Sequence, residues 1–123
     1  MNTENAMRFA VEASKAGISY PEIRQLMKDA KRLHRWFEAE CNGDVQQDEG
    51  SGQWYHHYGR GTNGPFQTVK ARDIETPAKA RISAIVKAHG LIAAFQGDPR
   101  GWPVTLCKTK ADADQDRGIS VPI

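Results

Sequence analysis

The strongest pattern in the chain is an apolar residue recurring every three to four positions between Pro21 and Cys41, "PEIRQLMKDAKRLHRWFEAEC". Placed at about 100° per residue, Ile23, Leu26, Met27, Ala30, Leu33, Phe37 and Cys41 share an arc of about 120°, which predicts an amphipathic helix with one dry face. Its ends carry their own signals. Ser19 followed three positions later by Glu22 is a capping box, Pro21 suits the first turn, and Asn42-Gly43 supplies the stop. Opposite the dry face lie Arg24, Lys28, Lys31, Arg32 and Arg35, while Glu22, Asp29, Trp36 and Glu40 fill an edge between the two.

A second helix is predicted in "ETPAKARISAIVKAHG", with Thr76 as cap, Pro77 at the first helical position, Gly90 at the end, and Ala78, Ile82, Ile85, Val86 and His89 as its stripe. Residues 3 to 16 support a shorter helix closed by Gly17, with Met7, Ala10 and Val11 as its few apolar positions; a loosely held arm is the alternative. Elsewhere the period shortens. "LIAAF", "PVTLCK" and the terminal "RGISVPI" read as strands, with Val104, Leu106 and Cys107 inward and the polar loop "TKADADQD" before the last. Between the helices, residues 44 to 68 form a glycine-rich insertion in which "QWYHHY" and "FQTV" flank the turn "GRGTNGP". The expectation is one α+β domain over residues 1 to 123, two main helices packed on a small antiparallel sheet of about three strands.

Composition narrows the function classes. Lys and Arg total 17 against 15 Asp and Glu, a balance that does not announce nucleic acid or an anionic membrane by net charge. No run is long and apolar enough to span a bilayer, and the N-terminal stretch has no signal-peptide pattern, so no membrane and a cytoplasmic location are expected. Cys41 and Cys107 suit a reducing compartment as buried free thiols.

"FQGDPRGW", Phe95 to Trp102, is the one stretch whose residues are nearly all explained by a turn and yet not completely. Asp98, Pro99 and Gly101 fit a type I turn, whereas Arg100 has no conformational reason to stand there and carries a planar fork suited to carboxylate, phosphate or aromatic partners. Together, "LHRWFEAECNG", "ARDIETPAKARISAI", "FQGDPRGWPVTL" and "RGISV" resemble a family of small proteins encoded by tailed phages and proteobacterial prophages. In that family an ECNG helix end, an HQGDPRG turn and a closing RGIAV strand recur in this order. The resemblance covers residues 24 to 121 and implies an origin without an activity. It makes Glu40, Cys41, Asn42, Gly43, Gln96 to Gly101, Arg117 and Gly118 signature positions; Trp102-Pro103 departs from the smaller or aliphatic residues usual there.

No catalytic kit is legible. The histidines and cysteines have no zinc-site spacing, so neither metal nor cofactor is assigned, and Cys41 on the dry face lacks a base to activate it. Three functions follow. The first is a non-catalytic module of phage or prophage origin that docks on a host or phage protein, for example as an inhibitor, with Arg100, Trp102 and Trp36 as anchors. The second is a nucleic-acid binder using Arg24, Lys28, Arg32 and Arg35. The third is a small-ligand or nucleotide binder, or an enzyme, with a polar pocket of Glu40, Asn42, Gln96, Asp98, Arg100 and Arg117.

Overall fold

The structure, a computed structural model, describes residues 3–41, 45–47, 54–58, 67–96, 103–115 and 117–123, with side chains described for 3–37, 75–96, 103–115 and 117–123. In chain order the elements are α1 (Thr3–Lys15), α2 (Tyr20–Cys41), β1 (Val45–Gln47), β2 (Trp54–Tyr58), β3 (Gln67–Lys70), α3 (Ala71–Ala88), β4 (Ile92–Phe95), β5 (Val104–Cys107), α4 (Lys110–Asp114) and β6 (Ile119–Ser120). The helices pack on the small antiparallel sheet β4-β5-β6, as the α+β expectation requires. The insertion forms a second antiparallel sheet, β1-β2-β3, in which β2 and β3 pair from Tyr55↔Lys70 to Tyr58↔Gln67. β1 has no counterpart in the sequence reading, because three residues rich in Gln carry no alternation.

Local chemistry sets the helix ends. At α2 the Ser19 N–H donates to Glu22 Oε1 at 3.0 Å and the Glu22 N–H returns to Ser19 Oγ at 3.4 Å, the capping box in both directions. Two helices close on a left-handed glycine, Gly17 at φ 89° and Gly90 at φ 72°. After α1, Ile18 N–H donates to Ala13 O and Gly17 N–H to Ser14 O; after α3, Leu91 N–H donates to Val86 O and Gly90 N–H to Lys87 O. Both are Schellman ends, and in both the residue past the glycine is buried against the core.

Three helix expectations need correction. α1 is a core element and not an arm, but it buries Phe9 and Ala13 while Met7 and Val11 stay exposed. α3 begins at Ala71 and passes through Pro77, where the sequence predicts a start; a proline in the second turn removes one backbone bond, and Ala71, Arg72 and Glu75 are good helix formers upstream of it. The "TKADADQD" loop contains α4, whose N-cap Thr109 accepts from the Asp112 N–H at 3.1 Å.

In the β4-β5-β6 sheet the register runs Ile92↔Cys107 to Phe95↔Val104, and Thr105↔Ser120 with Leu106↔Ile119. All four residues of β5 are buried. The central strand is therefore covered on both faces, where helices on one side alone would leave an alternating pattern. Gly118 enters β6 against β5, and a Cβ there would overlap the carbonyl of Leu106, so close strand approach accounts for a glycine at this position.

Candidate docking face

α2 and α3 run antiparallel. Glu22 meets His89, Asp29 meets Arg81, and the Lys79 ammonium lies 5.8 Å from the Phe37 ring, so contacts move down α3 as they move up α2. The edge of α2 that the helical wheel leaves mixed is this seam. Glu22, Asp29 and Trp36 recur at intervals of seven, which keeps them on one side of the helix. Trp36 is 1% exposed and belongs to the core. The expectation that it serves as an exposed anchor is therefore corrected: α3 turns that edge inward.

Asp29 sits at the centre of the seam with a fully buried side chain. Arg81 grips its two oxygens at 2.8 to 3.2 Å, Arg32 donates to Oδ1 at 2.9 Å and Gln25 to Oδ2 at 2.9 Å. Burial would raise the pKa of this carboxyl, but the hydrogen bonds from Arg81, Gln25 and Arg32 outweigh it and hold the group below its ordinary value of 3.8. The hydrogen bonds from Arg81 to Asp29 in turn raise the pKa of Arg81. Glu22 is also lowered, mainly by the Ser19 hydroxyl and backbone N–H, with a smaller contribution from His89 at 3.1 Å.

This inward turn of Asp29 changes the outer face. Between Glu22 and Phe37 every exposed residue is a cation: Arg24, Lys28, Lys31 and Arg35. Their spacing of four, three and four keeps them within an arc of about 60° along about 16 Å of helix. None of the four makes an ion pair among the described residues. Arg32, expected in this set, is instead drawn sideways to Asp29, and Lys31 takes its place. At the N-terminal end Arg24 stands over the Tyr20 ring, 5.9 Å from its centre, and Tyr20 is 68% exposed. A shallow depression of about 520 Å³ runs along this face, lined by Pro21, Arg24, Gln25, Met27, Lys28 and Lys31. Tyr20 is absent from the sequence-predicted sites, although its place beside Pro21, in the first exposed turn, is a usable signal.

The polar-pocket residues are not all gathered. Asn42, Asp98 and Arg100 lie outside the described residues, as does the expected anchor Trp102, and Glu40 lies in α2 with its side chain outside them. Gln96 is exposed, and its N–H donates to Pro103 O at 3.0 Å, extending the β4–β5 ladder by one pair. Lys79 lies over both Phe37 and Phe95, so the C-terminal end of α2 approaches the end of β4 that leads to Gln96. Arg117 is elsewhere. The β5–β6 register places it opposite Lys108, about 17 Å along β5 from Pro103, so the structure does not bring Arg117 to Gln96. Its own N–H donates to Asp112 O at 2.9 Å.

No protein-family model, curated protein or solved structure matches this chain. Among the described residues no helix is long and apolar enough to cross a membrane.

Proposed function

We propose that this protein is a non-catalytic binding module, a small accessory protein of phage or prophage origin, that docks on an anionic macromolecule of the host through the outer face of α2. The observation that carries the proposal is the single sign of that face between Glu22 and Phe37: Arg24, Lys28, Lys31 and Arg35 are exposed there with no exposed carboxylate among them. Any amphipathic helix needs a polar outer face, but alternating signs would serve solubility better. Adjacent like charges three or four positions apart cost about 0.2–0.5 kcal/mol each, and the stripe contains three such neighbours, 24/28, 28/31 and 31/35. An anionic partner offsets that self-repulsion. The origin rests on the ECNG, QGDPRG and RGISV resemblance.

The double variant Lys28→Glu/Lys31→Glu separates docking from folding. It turns the 24/28 and 31/35 neighbours into opposite-charge pairs, with a carboxylate four residues before Arg35, and leaves 28/31 a like-charged pair, so urea unfolding is expected to show unchanged stability or a gain of about 0.5 kcal/mol. Retention on immobilised heparin, strong for the wild type, is expected to disappear. Equal retention of both proteins would remove the proposal.

A further inference from the structure

We infer that the anionic partner is a nucleic acid, held by its phosphates on Arg24, Lys28, Lys31 and Arg35 without selection of base sequence. This rests on the docking proposed for the same face and adds the class of partner. A protein interface centres on an apolar or aromatic anchor ringed by polar groups. The middle of this face has no such anchor, since its exposed residues from Arg24 to Arg35 are all cations and Met27 is half-buried. A phosphodiester strand presents the complementary pattern, one negative charge per roughly 3.4 Å of axis in each strand of a duplex and no apolar anchor to fill. About 16 Å of helix then lies along about five nucleotides, with four cations to meet them.

Two further features fit this partner. Arg24 stands over the Tyr20 ring, and Tyr20, 68% exposed as a residue, leaves surface on which a base can stack at the end of the stripe. Gln25, the one amide side chain lining the depression, donates to Asp29 and is not presented to read base edges. The contact is therefore of the positioning kind, made to the backbone, and its strength is set by salt.

The test uses the full chain and a fluorescein-labelled strand of about 20 nucleotides of mixed sequence, alone and annealed to its complement, followed by anisotropy between about 50 and 200 mM salt. Four phosphate contacts predict a log–log salt slope of about −3.6 on the duplex or about −2.8 on the single strand, so affinity for the duplex falls roughly 100-fold across the range. Lys31→Gln is expected to reduce the slope by about 1 while leaving the circular dichroism spectrum unchanged. A labelled poly-glutamate peptide of matched charge is titrated in parallel. If neither strand binds at the lowest salt while poly-glutamate and heparin do, the nucleic-acid inference falls and anionic docking survives. If no polyanion binds, both fall. Strand binding with a slope indifferent to Lys31→Gln also overturns the inference.

Discussion

Trp36→Ala is expected to cost about 4 kcal/mol of folding stability, because an indole that is 1% exposed leaves a large cavity where α2, α3 and the core meet. That is a large part of the roughly 5–15 kcal/mol that separates folded from unfolded states in single domains. Urea or thermal unfolding followed by far-ultraviolet circular dichroism measures it. Trp36→Phe, which keeps most of the buried apolar volume, is expected to lose much less. An alanine variant within about 0.5 kcal/mol of wild type would mean that the side chain does not occupy the core.

Asp29→Ala comes next, at about 3 kcal/mol. Removing the carboxylate strips Arg81, Arg32 and Gln25 of a shared acceptor. The cost stays at the low end of the roughly 3–5 kcal/mol seen when one member of a buried pair is removed, because the Arg81 and Arg32 side chains are 43% and 41% exposed and can rehydrate. The pH dependence has a definite sign. Asp29 titrates lower in the folded state than its ordinary 3.8, so the folded state favours its charged form and the stabilisation is complete above that value. It is lost as pH falls through the lower folded pKa. The gap in unfolding free energy between wild type and Asp29→Ala is therefore expected to be constant near neutrality and to narrow below about pH 4. A gap that stays constant into strong acid would show that the carboxylate's charge contributes nothing.

These two residues mark the limit of what the sequence makes legible. Ser19 with Glu22, Gly17 and Gly90 announce their helix ends because capping and left-handed closure are local, and the β4–β5 pair follows from two short apolar runs around a turn signal. Asp29 and Trp36 are different. A wheel of α2 places both at an edge, and only the arrival of α3, with Arg81 fifty-two residues away in the chain, turns that edge into a buried seam. The docking face shares this dependence. The basic residues are visible in the sequence, but Asp29, Glu38 and Glu40 there interrupt the positive field; the removal of Asp29 inward is a tertiary event, and the side chains of Glu38 and Glu40 lie outside the described residues. Arg32 leaves the exposed set for the same reason. Thr109 and Asp112 show the opposite case, a cap-and-third-position signal that is present in the sequence but weak, because only five helical residues follow it.

Of the two remaining anchors predicted from sequence, Arg100 and Trp102, Arg100 in the GDPRG turn enters the most direct test of the docking face. Tagged full-length wild type, Lys28→Glu/Lys31→Glu and Arg100→Ala, each confirmed folded, are used to capture macromolecules from a bacterial host lysate, and bound protein and nucleic acid are both identified. The predicted result is a captured macromolecule that Arg100→Ala retains and the α2 charge reversal loses. Capture that survives charge reversal and disappears with Arg100→Ala would contradict the account and move the docking surface from α2 to the connection between β4 and β5.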